Sequence, residues 1–231
     1  MRYAGNDLSM LRITEPEIMD DEEQVRAYAL ADFEEPHSKF ISLLAEKLPS
    51  LSKTGHALDL GCGSGDITRR FALALPGWKI DGIDGSPTML NVAREMATRE
   101  SMEERLNFIQ ALLPAPPPPD VKYDLIFSNS LLHHMSDPAV FWNSLIDWSG
   151  EHTDIFVMDL MRPADPGEAR AVVQRYSAGE PEILRTDFFN SLLASFEPDE
   201  ISEQLQRASL TDLQLEIASD RHLIVWGSIE P

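Results

Sequence analysis

Three short stretches of this 231-residue chain bring together residue types that can do chemistry. In Asp59-Leu60-Gly61-Cys62-Gly63-Ser64-Gly65-Asp66, three glycines stand between an apolar run and a helical pattern, Ile67–Leu75. A glycine turn that leads from a strand straight into a helix lets the backbone approach a ligand and sets a helix N-terminus beside it. The spacing is G-x-G-x-G, and Asp66 occupies the place where a dinucleotide-binding loop needs its third glycine, so a nicotinamide or flavin site is disfavoured. In Asp81-Gly82-Ile83-Asp84-Gly85-Ser86, Asp84 ends a strand, where a carboxylate can accept hydrogen bonds from two ribose hydroxyls. The third stretch, Asn129-Ser130-Leu131-Leu132-His133-His134, follows another strand. An imidazole, with its ordinary pKa near ~6.5, can take a proton there. Capping a helix beside a pocket suits each histidine equally well, and His134 is the marginally better candidate base. Adjacent histidines have neither the i, i+4 spacing nor the cysteine or carboxylate companions of a metal site, so no metal is expected.

The elements that must position these residues alternate strand and helix from about Gly55 onward, which predicts an α/β fold. Seven strands are expected, at Ala57–Leu60, Lys79–Ile83, Leu106–Ile109, Tyr123–Ser128, Asp154–Leu160, Leu213–Ala218 and His222–Gly227. Only Ser219-Asp220-Arg221 separates the last two, too little for a crossover helix. The expectation is therefore a Rossmann-like, mostly parallel seven-stranded sheet with an antiparallel last strand and helices on both faces. Ser86-Pro87 and Asp137-Pro138 read as helix starts, and Pro198-Asp199-Glu200 as a third. Pro114 to Pro119 holds five prolines and must be an extended loop. Residues 1–54 form an N-terminal helical cap, with Tyr28, Phe33, Phe40, Leu43 and Leu44 spaced to pack on the sheet or cover a site. Residues 55–231 form the main domain. Within it, an insertion over 163–198 carries two helical patterns, Gly167–Tyr176 and Thr186–Phe196, where inserted helices commonly build a substrate pocket.

The string Leu58-Asp59-Leu60-Gly61-Cys62-Gly63-Ser64-Gly65 resembles the first motif of class I S-adenosylmethionine-dependent methyltransferases. The resemblance implies S-adenosylmethionine as cofactor and S-adenosylhomocysteine as product. It places Asp59, Gly61, Cys62, Gly63 and Gly65 at the methionine part of the cofactor, and Asp84 with Gly85 at the ribose. At the third family position the chain departs: Phe108-Ile109-Gln110-Ala111-Leu112 puts Leu112 where many relatives have an adenine-binding aspartate. Adenine would then meet Gln110 or the backbone of Ala111 and Leu112. The segment Asn129 to His134 resembles that of small-molecule methyltransferases, and the Pro-Pro-aromatic motif of nucleic-acid enzymes is absent. Asn129 and Ser130 fall where cofactor and acceptor meet. His133, Arg162 and Tyr28 are candidates for the acceptor, Arg162 through a carboxylate or phosphate. Asp187-Phe188-Phe189-Asn190 and Asp220-Arg221-His222 are secondary polar clusters.

Composition narrows the partners. With 19 Lys+Arg against 39 Asp+Glu the formal charge is −20, so nucleic acid and anionic membranes are repelled. One cysteine, Cys62, allows neither an internal disulfide nor a cysteine relay. The first residues hold no apolar signal core, and no stretch approaches a membrane span of ~20 residues, so a soluble, cytoplasmic protein is expected. A homodimer stays open. A small-molecule methyltransferase is the leading expectation; a protein or RNA methyltransferase and a non-catalytic S-adenosylmethionine-binding module are the alternatives.

Overall fold

The computed structural model describes residues 10–16, 24–25, 28, 31, 33–116 and 121–230. Seven strands form one sheet in the order β3-β2-β1-β4-β5-β7-β6. They are β1 (Thr54–Leu60), β2 (Gly77–Asp84), β3 (Leu106–Gln110), β4 (Tyr123–Asn129), β5 (Ser149–Leu160), β6 (Gln214–Ile217) and β7 (His222–Ile229). Strands β1 to β5 pair in parallel, and β7 runs antiparallel to both β5 and β6. The expected topology is therefore present. Strand β5 is longer than its apolar pattern suggested, because Ser149 already pairs with Tyr123 ahead of a register shift.

The helices are α1 (Glu34–Lys47), α2 (Asp66–Ala74), α3 (Pro87–Arg99), α4 (Pro138–Trp148), α5 (Pro166–Tyr176), α6 (Glu182–Ala194) and α7 (Pro198–Arg207). Their starts follow the sequence. Ser86 accepts from the N–H of Met89, and Asp137 from that of Ala139. Glu197 and Glu200 form a reciprocal capping box at α7. Helix α6 begins four residues before the predicted Thr186.

Alternation along the strands feeds two cores. Leu125, Phe127, Phe156 and Met158 face α1, α2 and α3, where Phe40, Phe71 and Leu90 are buried. Ile126, Ile155 and Val157 face α4 and α7, with Phe141, Trp142 and Leu205. Phe40 packs edge-on to Phe156 at 5.0 Å, so α1 is a layer of the sheet as well as part of the 1–54 preface. Helices α5 and α6 pack on each other through Val172, Val173 and Leu192, with Leu160 at the end of β5. Residues 10–16 lie along α6: Ile13 donates to the carbonyl of Leu193 at 3.0 Å, and Arg12 bonds the carbonyls of Ala194, His133 and Met135. Of the proline loop, 117–119 lie outside the described residues. Among the described residues no helix is long and apolar enough to cross a membrane.

Candidate functional site

Chain order reverses between β1 and β4, and a crevice opens there beyond the strands' carboxyl ends, the usual ligand position in such sheets. The glycine turn forms its floor. Gly61 and Cys62 donate to the carbonyl of Ile83 at 2.8 and 3.0 Å, tying the turn to the end of β2. Gly61 has φ +77°, and a Cβ there would stand 2.7 Å from Leu131. Gly63, at φ +51°, has nothing within 4 Å of where a Cβ would be, so its backbone is bare toward the crevice.

Three carboxylates line this cavity, Asp59, Asp84 and Asp66. Asp59 is 1% exposed and accepts from the Thr68 hydroxyl at 2.5 Å. Burial pushes its pKa up to about 7. Asp84 accepts from the N–H groups of Gly63 and Ser86, each at 2.8 Å, and burial raises its pKa despite those bonds. Among the described residues neither Asp59 nor Asp84 has an ion-pair partner. Asp66 differs: burial opposes its ionisation, but bonds from His37 and Arg70 outweigh this and hold it below the usual carboxylate range. Ile83, Met89, Ala111, Leu112 and Leu113 make an apolar side to the same cavity.

A second cavity of about 420 Å³ adjoins the first. Tyr28, His37, Asn129, Ser130 and His134 line both. Its far wall comes from α5, α6 and the β6–β7 turn: Arg175, Tyr176, Leu184, Asp187, Phe188, Arg221 and His222. Arg221 stacks its guanidinium 3.4 Å over the Tyr176 ring and pairs with Glu35 at 3.1 Å. Ser130 holds a left-handed φ of +57°, strained for a non-glycine residue, and its N–H donates to Met158.

The two histidines sit in unlike surroundings. His133 is buried and gives its Nδ1–H to Asp159 at 2.5 Å. Burial opposes its protonation, but the Asp159 charge outweighs burial and raises its pKa. Asp159 also accepts from the N–H of Leu132 and of Leu160. His134 is driven down to about 3 by burial and by the neighbouring His133. Burial pushes Tyr28 up to about 12, so its phenol stays protonated.

Residues 57–145 match the family model described as a methyltransferase domain. The match identifies a methyltransferase domain within the chain, over less than half of its length. It is 30% identical over 150 residues to the trans-aconitate 2-methyltransferase of Paracidovorax citrulli, a match covering 64% of this chain and 49% of that protein. The chain thus spans about half the length of that curated relative. In fold it is similar to an S-adenosylmethionine-dependent methyltransferase from Aquifex aeolicus, with a TM-score of 0.67, 16% identity, and 91% and 100% of the two chains covered. It is also similar to the plantazolicin methyltransferase BpumL, solved with a desmethyl-plantazolicin analogue and S-adenosylhomocysteine. That match has a TM-score of 0.68 and 17% identity, covering 91% of this chain and 92% of that one.

The fold gathers most of the residues singled out in the sequence. Asp59, Gly61, Cys62, Gly63, Asp84, Gly85, Ala111, Leu112, Asn129, Ser130, His134 and Tyr28 line the first cavity. Gly65 does not; it is the left-handed cap of α2, and a Cβ there would crowd Ala93 and Phe108. Gln110 is exposed and reaches only the carbonyl of Gly85, at 3.4 Å. Burial raises the Cys62 thiol well above its ordinary pKa, so it packs rather than reacts. Arg162 requires the clearest correction. It is buried away from both cavities, bonding Ser195 O at 3.0 Å and pairing with Glu200 and Glu197 at 2.9 and 3.2 Å. It ties the end of β5 to the start of α7 and is not free for an acceptor. Of the secondary clusters, Asp187, Phe188, Arg221 and His222 reach the second cavity. His37, Tyr176 and Glu15 were missed. A lone histidine, tyrosine or glutamate carries no spacing signal, and each reaches the site from an element far away in sequence.

Proposed function

We propose that this protein transfers a methyl group from S-adenosylmethionine to a small-molecule acceptor, leaving S-adenosylhomocysteine. The observation that carries the reading is the shared wall of Tyr28, His37, Asn129, Ser130 and His134 between a glycine-floored cavity and a roomier one. The first cavity fits the cofactor: bare backbone at Gly63 admits close approach, and two buried acids suit a ligand with a cationic amino acid end and a ribose. When bound, S-adenosylmethionine supplies a methyl group activated by its positive sulfur. Asp59 would pair with the ammonium, Asp84 would accept from ribose hydroxyls, and the Met89–Leu112 side would hold the adenine. Asn129 and Ser130 orient the acceptor, while α5 and α6 cap it and exclude water, the role expected of the 163–198 insertion.

A proton-taking group is poorly provided. His134, with a pKa of about 3, is neutral but a weak base, and Asp159 favours the protonated form of His133. His134 therefore hydrogen-bonds rather than accepts a proton, and His133 turns its Nε2 to Glu15 at 3.4 Å, so the acceptor atom is one that arrives deprotonated, a carboxylate oxygen above all. The trans-aconitate 2-methyltransferase relative supports this class. The −20 charge and single buried thiol suit a reducing cytoplasm and argue against a nucleic-acid acceptor. Incubation with methyl-labelled cofactor, a panel of small carboxylic acids and a metabolite extract tests the proposal. Base-labile methyl esters are expected. Label only in protein or RNA would overturn the acceptor class, and cofactor binding without turnover on any fraction would overturn the activity.

A further inference from the structure

The adjacent histidines lack metal-site spacing in sequence, but folding changes their company. Residues 10–16, strapped along α6 by Arg12 and Ile13, bring Glu15 to them across almost 120 positions. Its Oε1 lies 3.4 Å from His133 Nε2 and 3.3 Å from His134 Nδ1. One ligand atom from each residue lies within 4.8 Å of those of the other two. We propose that Glu15, His133 and His134 form a divalent transition-metal site, with Zn²⁺ the best-suited ion, on the wall of the acceptor cavity.

The spacing supports this. Ligands held at ~2.0–2.1 Å from a tetrahedral centre stand ~3.3–3.4 Å apart. Both edges from Glu15 already have that length. The third edge needs to close by about 1.5 Å at most, within reach of a χ adjustment.

The surroundings support it further. His133 gives its Nδ1–H to Asp159 at 2.5 Å, which in the neutral ring leaves the lone pair on Nε2, the atom facing Glu15. This carboxylate–histidine pairing is the usual way a metal-binding imidazole is oriented. The Ser191 hydroxyl donates to Glu15 Oε1 at 2.9 Å and fixes the carboxylate in the same manner. His134 Nδ1 lies 3.2 Å from the carbonyl of Pro16, so metal binding moves the proton of the neutral ring from Nδ1 to Nε2. A set of two imidazoles and one carboxylate favours Zn²⁺ over Mg²⁺ or Ca²⁺, which prefer all-oxygen ligands. Both histidines line the second cavity, so the fourth position opens on water or an acceptor oxygen, as in a catalytic rather than a closed structural site.

The site stands or falls independently of methyl transfer and is tested without turnover. Titrating the full chain with Co²⁺ alone should give one bound ion per chain and the intense visible bands of a tetrahedral centre, abolished by Zn²⁺. Glu15→Gln should weaken Co²⁺ binding by at least ~10-fold, since even loss of a supporting residue costs that much. His134→Gln provides the same contrast should the first variant fail to fold, as judged by circular dichroism and melting temperature. Absence of the visible bands at one equivalent, or a folded variant that binds Co²⁺ within threefold of the parent, would overturn the site. The cluster would then be a plain carboxylate–imidazole pair.

Discussion

Asp59 carries the strongest prediction at the level of single residues. Buried beside Thr68 with a pKa of about 7, it is half neutral near neutrality until a cation arrives. An ammonium group selects the ionised form, so S-adenosylhomocysteine affinity should rise about tenfold between pH 6 and pH 8, because the ionised fraction goes from about a tenth to about nine-tenths. Calorimetry at several pH values measures this, and Asp59→Asn should bind more weakly and without the slope. Stability of the ligand-free protein should move the opposite way. A carboxyl whose folded pKa is raised contributes stability below its unfolded value near ~3.9, and that contribution is lost as pH rises through about 7. At saturating cofactor the rate should be flat from pH 6 to 8, because His134 at about 3 has already lost its proton. A bell centred near 6.5 would restore a histidine base. Asp59 and Asp84 were legible as cavity-lining acids because their positions depend on strand ends that the sequence marks. Gln110 was not, because one residue's shift along a strand end decides whether a side chain meets the cavity or solvent.

At the level of elements, Arg162 shows how a charged residue at a strand end can mislead. It follows β5 on the site edge of the sheet, yet β5 meets α7 there, and Glu197 and Glu200 of the capping box take its guanidinium. Removing it strands the Ser195 carbonyl and leaves two half-exposed acids together. Arg162→Ala should therefore destabilise the fold by about 2 kcal/mol in urea unfolding, less than a fully buried pair would cost. The acceptor KM should stay unchanged at temperatures where the variant is folded; a large KM rise would return Arg162 to the acceptor site. The helices themselves were readable from their caps, as at Ser86, Asp137 and Pro198. The 10–16 strap was not, because it has no periodicity and is held by Arg12 on carbonyls that exist as a group only after α6 has docked.

Charge acts on the molecule as a whole. A formal −20 repels itself in the folded state, and screening relieves that repulsion. Raising NaCl from 10 to 300 mM should lift the melting temperature by about 2–4 °C, equivalent to ~1 kcal/mol for a chain of this size, as read by scanning calorimetry. A fall would mean that specific ion pairs such as Arg70 with Glu34 and Asp66 outweigh the net field. The chain's order of strands, its glycine turn, Asp84 and the Asn129–His134 segment pointed to the glycine-floored cavity in advance, because those signals are local: turn geometry, caps and period-two burial are written over a few neighbouring residues. The second cavity had no such signature. Tyr28, His37, Tyr176, Arg221 and His222 meet there from the preface, the insertion and the last hairpin, and Glu15 reaches the histidines from a strap near the start of the chain. Contacts between elements far apart in sequence follow from how two helical layers and an inserted pair pack around one sheet, and only the folded chain sets that packing.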